Sequence, residues 1–144
     1  IHINYMDEEQ FVNQILKDRT ENKISSRKEI EELNDKILFD IYKNYMNYDK
    51  NKENLVNSKE KLKDYYYSNN NFSAGEYIKY INTKYFYDLK IHKGGFIRDI
   101  EGDMVRLVNG RNFWSVNMKK TKLFTKLNQE QLIKLIIIET FEDN

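Results

Sequence analysis

The chain has 144 residues, with 24 basic and 23 acidic side chains, no cysteine and no proline. This length allows one domain with its own core but not two large ones. Without cysteine the chain is neither a disulfide scaffold nor a cysteine-based zinc module, and without a long apolar run we predict no membrane span. Because no basic segment leads into an apolar stretch at its start, we expect no signal peptide and an intracellular location.

The first half of the chain has helical periodicity. Residues 7–19 predict a short helix, and Ser26 with Glu29 predicts a capping box at the start of a second one. Beyond it lies the helical stripe, a series of apolar residues at helical spacing: Ile30, Leu33, Ile37, Ile41 and Tyr45. Either one helix covers residues 27–67 or the chain turns near residues 49–54 into a helical hairpin. Because this half contains no glycine or proline, we favour the single long helix, whose length of about 60 Å would leave part of the stripe for another chain.

The second half changes to the period of a strand, and all five glycines lie between Gly75 and Gly110. The pattern predicts strands over residues 77–81, 85–91, 96–100, 104–108, 111–118 and 122–126. Glycine after Glu101 and after Asn109 predicts hairpin turns, while the pair Gly94-Gly95 is expected to interrupt the strands as a tight turn or bulge.

The last predicted element is a helix from residue 129 to about residue 141, capped by Asn128 and apolar on most sides, so we expect it to be largely buried. A strand over residues 133–138 is the alternative. The predicted fold class is therefore α+β, with a helical N-terminal half over residues 1–72. A small antiparallel β meander or barrel and the C-terminal helix occupy residues 73–144.

Candidate catalytic and metal-binding residues are few. His92 has no nucleophile marked near it, and we interpret it as an ordinary turn residue. The alternating acids Asp99, Glu101 and Asp103 lack the remainder of a calcium loop, which favours a hairpin turn with solvated acids. Gly94-Gly95 matches neither the dinucleotide nor the P-loop pattern. We therefore expect no enzyme activity, no metal and no cofactor.

Positive charge concentrates in the β half, since residues 75–126 carry eleven basic and five acidic side chains. Aromatic residues, among them Trp114, accompany the cations, and such combinations occur in small barrels that bind nucleic acid. The candidate nucleic-acid-binding residues are Arg98, Arg106, Arg111, Lys119, Lys120 and Lys122. An ordinary solvated face with Trp114 in the core is the simpler interpretation, as expected for any half-buried strand.

Three strings in this half are Lys93-Gly94-Gly95-Phe96, Leu107-Val108-Asn109 and Trp114-Ser115-Val116. Over residues 76–126 they resemble uncharacterised small β modules in proteins of nucleocytoplasmic large DNA viruses. The resemblance implies a viral source, a small barrel and a place in the host cytoplasm or virion. We predict a non-enzymatic protein–protein interaction or structural module that binds a protein partner or itself through the helical stripe. With the viral source that the resemblance implies, its expected role is that of a viral assembly component. The alternative is a nucleic-acid-binding module that uses the basic, aromatic β face.

Overall fold

The computed structural model describes residues 26–45, 49–69, 71–85 and 87–142. The chain forms two compact units, one made of residues 1–30 and 128–144 and the other of residues 31–127. The described helices are α1 (Arg27–Tyr45), α2 (Asp49–Lys61) and α3 (Gln129–Glu142). The strands are β1 (Tyr65–Tyr67), β2 (Tyr77–Asn82), β3 (Ile91–Glu101), β4 (Met104–Asn109), β5 (Asn112–Asn117) and β6 (Thr121–Lys126), and a 3-10 turn (Met118–Lys120) precedes β6. The helix predicted over residues 7–19 lies outside the described residues. Within the described ranges, no helix combines the length and the apolar character needed to cross a membrane.

The first two helices form a hairpin. The backbone N–H of Glu29 donates to Ser26 Oγ at 3.2 Å, as the predicted capping box requires. The hydroxyl groups of Tyr42 and Ser58 lie 3.1 Å apart. In one continuous helix these residues would be about 24 Å apart, so the predicted single helix over residues 27–67 is wrong. The chain turns although it has no glycine or proline there, because apolar residues of both helices join the same core.

The six strands form one antiparallel sheet in the order β1-β6-β2-β3-β4-β5. This confirms the α+β class, and the consecutive pairing of β2 to β5 is a meander. The sheet is open, with β1 at one edge and β5 at the other, so of the two predicted alternatives, meander or barrel, the barrel is wrong.

Local signals predicted some strands correctly and others incorrectly. Gly102 and Gly110 have φ of 58° and 62°, which confirms both hairpin turns. Residues 85–90 contain no strand at the positions described, contrary to prediction. Gly94 and Gly95 lie inside β3, where the register with β2 shifts between Ile78 and Tyr80, so of the two predicted alternatives the bulge is confirmed and the tight turn is wrong. The strand β1 lies in a segment that was predicted as helix. Its three consecutive tyrosines favour a strand, but only the pairing with β6 reveals it.

The sheet has a hydrophobic core on each face. On one face, Ile81 and Phe124 pack with the helical residues Leu38, Ile41 and Tyr42. The other core takes its buried members from the strands: Ile78, Tyr80, Ile97, Val105, Leu107, Val116 and Leu123. Helices and strands therefore share one core, and the sheet supplies the second.

Two aromatic side chains span this second core across the strands. Trp114 on β5 donates its indole N–H to Tyr80 Oη on β2 at 3.0 Å, although β3 and β4 lie between the two strands. The two long side chains therefore bridge a separation of about 14 Å between β2 and β5. Gly95 makes this packing possible, because a Cβ there would lie 2.9 Å from Trp114 Cη2. The lone tryptophan therefore packs against the second core, as the simpler interpretation of Trp114 predicted.

Helix α3 belongs to the unit that includes residues 128–144. Asn128 Oδ1 accepts from the Gln131 backbone N–H at 2.8 Å, and Gln131 Oε1 accepts from the Asn128 N–H at 2.9 Å. This reciprocal cap confirms the predicted helix and excludes the strand alternative. Leu135 and Ile138 of this helix are buried, but three of its apolar residues are exposed: Ile133, Ile136 and Phe141. The prediction that the helix is largely buried is therefore wrong.

Candidate functional site

The face of β3, β4 and β5 opposite the second core is exposed. Val105 and Leu107 are buried, so Arg106 between them points to the other side. Residues that pair directly across strands have side chains on the same face, and the pairs here are Phe96↔Val108, Val108↔Phe113 and Arg106↔Ser115. We call this surface the outer face, and its residues are Phe96, Arg98, Asp99, Arg106, Val108, Phe113 and Ser115.

A bulge in β3 brings an extra cation onto the outer face. The register shifts between Ile97 and Asp99, so Arg98 and Asp99 both lie opposite Arg106. The guanidinium carbon of Arg98 lies 5.7 Å from the centroid of the Phe113 ring. A depression of about 160 Å³ opens beside this pair, lined by Arg98, Arg106, Leu107, Phe113, Trp114 and Ser115.

The positive charge of Arg106 is already paired within the protein. Its Nη1 lies 2.6 Å from Asp99 Oδ1 and its Nη2 lies 2.6 Å from Glu101 Oε2. These hydrogen bonds, first that to Asp99 and then that to Glu101, raise the pKa of Arg106. The third acid of the predicted turn, Asp103, pairs with Lys119 at 3.3 Å. Among the described residues, no cluster of three or more His, Asp or Glu side chains could hold a metal ion.

The six predicted nucleic-acid-binding residues do not form one surface. Arg98 and Arg106 lie on the outer face, whereas Arg111 lies in the turn before β5. Lys119 and Lys120 lie in the 3-10 turn after β5. Lys122 lies on β6, which three strands separate from β5 in the sheet order. The structure thus places cations on the outer face and at both ends of β5.

Two of the five residues of the predicted helical stripe contribute to the core. Ile41 is buried there and Ile37 packs against it. Leu33 is 44% exposed, Ile30 is half-buried, and the side chain of Tyr45 lies outside the described residues. The stripe therefore offers a partner little continuous apolar surface.

His92 takes part in packing. Its ring stacks on Tyr80 with centroids 4.9 Å apart and an interplanar angle of 12°. Burial, with a smaller contribution from Lys90, lowers the pKa of His92, and Asp88 opposes this shift. No hydrogen bond joins the ring to any hydroxyl or carboxylate that the structure describes.

The two edges of the sheet differ in their protection. At β1, Asn34 Nδ2 donates to the Tyr65 carbonyl at 2.8 Å, and Asn34 Oδ1 accepts from the Tyr67 N–H at 2.9 Å. This side-chain amide occupies the backbone groups that a further strand would use. The β1 edge is therefore closed within the protein.

The β5 edge is open. The two-residue turn Gly110-Arg111 makes Asn109↔Asn112 the hydrogen-bonded closing pair of the hairpin. By alternation, the N–H and C=O groups of Phe113 and Ser115 point away from β4. No hydrogen bond joins these groups to any residue in the described ranges. We call them, with the side chain of Phe113, the β5 edge.

Sequence reasoning identified the cations and aromatics of this region but missed the edge. A signal was available, because β5 contains no charged residue and no proline, the usual protection of an exposed edge strand. No family model, curated protein or solved structure matches the chain. The functional argument therefore rests on the geometry of this sheet.

Proposed function

We propose that the protein is a non-enzymatic interaction module that binds an extended segment of a partner protein as an additional strand along β5. The observation that carries the proposal is the open β5 edge, with outward backbone groups at Phe113 and Ser115. Exposed edges of this kind either aggregate or pair with another chain. Strand addition takes its affinity from such backbone hydrogen bonds and its specificity from alternate side chains.

The surroundings of the edge support binding of a side chain as well as backbone. Phe113 is 64% exposed, and the depression beside it contains Arg98 and Ser115. The edge offers four backbone hydrogen bonds at about 1 kcal/mol each and one exposed aromatic ring, from which the free-energy cost of association is subtracted. We therefore expect weak, reversible binding.

The other predicted surfaces receive less support. Ile41 of the helical stripe is buried in the core and Ile37 packs against it, which interrupts the stripe as a binding surface. The nucleic-acid alternative is weakened, because two of its six candidate cations, Arg106 and Lys119, form ion pairs within the protein. The viral source and a role in assembly stay predictions.

Proline at position 115 tests the proposal. Ser115→Pro removes the outward N–H but leaves the hairpin bonds to β4, since that N–H does not face β4. Ser115→Ala is the matched control, because it shortens the same side chain and keeps the N–H. Random peptides displayed on phage are selected on the wild-type protein and then measured on both variants, whose folding is checked by urea denaturation.

We expect selected peptides to bind wild type and Ser115→Ala alike and to lose about fivefold in affinity on Ser115→Pro, because one backbone hydrogen bond is removed. Amide exchange at Phe113 and Ser115 should slow when the peptide is bound. If no peptide is enriched, or if enriched peptides bind Ser115→Pro as well as wild type, strand addition at β5 is wrong.

A further inference from the structure

We infer that the segment taken up by the β5 edge is acidic, with a carboxylate side chain two residues from an apolar one on the side that meets the outer face. This inference rests on the proposed strand addition and specifies its partner. The charges around β5, the pairing of its cross-strand rows and the repulsion between two copies each contribute to it.

The charge around β5 is positive on balance. The acids near it, Asp99, Glu101 and Asp103, pair with Arg106 and Lys119. Among the described residues, no ion pair is formed by Arg111, which precedes β5, or by Lys120, which follows it. An added strand that extends past both ends of β5 would meet a cation at each end. Carboxylates are the side chains that such positions favour.

The cross-strand rows specify the order of side chains in the partner. Phe96, Val108 and Phe113 are direct cross-strand neighbours and form one row across the sheet. The residue of an added strand that continues this row would lie beside the exposed Phe113 ring. An apolar or aromatic side chain suits that position. The adjacent row runs from Arg106 to Ser115. Because Ser115 is short, a glutamate opposite it could extend over Ser115 towards the depression and Arg98.

The same cations disfavour a second copy of this chain as the occupant. Two β5 strands pair antiparallel about a two-fold axis, with the outward groups of Phe113 and Ser115 facing the partner. With the axis at Trp114 or Ser115, near the middle of β5, the end of the strand preceded by Arg111 lies beside the end followed by Lys120 in the other copy. Like charges close to each other destabilise a strand pair, so self-pairing is opposed where an acidic segment is attracted.

A synthetic peptide of about nine residues tests the inference. It has one Phe and several Glu on one side and Thr on the other, and its matched control replaces every Glu by Gln. Fluorescence polarisation measures the binding of both peptides to wild type, Arg98→Gln and Ser115→Pro. We expect the Glu peptide to bind about tenfold tighter than the Gln peptide at about 50 mM salt. Arg98→Gln should weaken only the Glu peptide, by about threefold.

The outcomes separate the inference from the proposed function. If both peptides bind equally and both are lost in Ser115→Pro, strand addition stands and the acidic preference is wrong. If neither peptide depends on position 115, the proposed function is wrong and the inference fails with it. A single-stranded oligonucleotide that displaces the Glu peptide and binds more tightly than it would also overturn the inference, because the cations would then serve nucleic acid.

Discussion

Replacing Gly94 by alanine tests the most crowded backbone contact in the sheet. A Cβ on Gly94 would overlap the carbonyl oxygen of Ile78 and lie 2.5 Å from its carbonyl carbon, a separation that real Cβ atoms essentially never show. Both atoms belong to backbone, so β2 and β3 would have to separate. The Gly94 carbonyl also accepts from Tyr77 Oη at 3.0 Å and from Asn109 Nδ2 at 2.9 Å.

The expected loss follows from these contacts. Two hydrogen bonds and the local strand pairing, at about 1 kcal/mol each, give a loss of about 3 kcal/mol in the free energy of unfolding. Gly110→Ala is the matched control, because Gly110 has φ of 62° and open space around its Cβ position. Left-handed strain alone should cost about 1 kcal/mol there.

Urea denaturation followed by the fluorescence of the single tryptophan measures both variants. A loss of about 3 kcal/mol corresponds to a fall of about 10 °C in the melting temperature. If Gly94→Ala loses no more than Gly110→Ala, then the close approach of β2 to β3 is absent and the register of these strands is wrong.

Three further predictions concern packing and pH. Asn34→Leu removes both hydrogen bonds to the β1 edge, and we expect urea denaturation to show a loss of about 2 kcal/mol, with aggregation in light scattering. Trp114→Phe removes the donor to Tyr80, so the pKa of Tyr80, already raised by burial, should rise further in an NMR titration. Burial lowers the pKa of His92 in the folded protein below its ordinary value near 6.5, so the free energy of unfolding should fall as the pH falls below about 7. His92→Phe should flatten this decline between about pH 7 and 5, as measured by urea denaturation.

Much of the fold was predictable from neighbouring residues. The caps of α1 and α3 depend on side chains three residues apart, and the hairpin turns depend on glycine at a single position. The candidate site was predictable only in part. Arg98 and Phe113 were identified, but their contact depends on a bulge in β3 and on the pairing of three strands.

The sequence by itself determined where α1 and α3 begin and where the two glycine hairpins turn, because caps and turns act over a few residues. Tertiary structure decided what those elements face. It placed Ile41 and Ile37 of the helical stripe at the core, closed one edge of the sheet with Asn34 across 31 residues of sequence, and joined Trp114 to Tyr80 across two intervening strands. It left the β5 edge open. These outcomes depend on contacts between residues distant along the chain, and a local pattern carries no information about them.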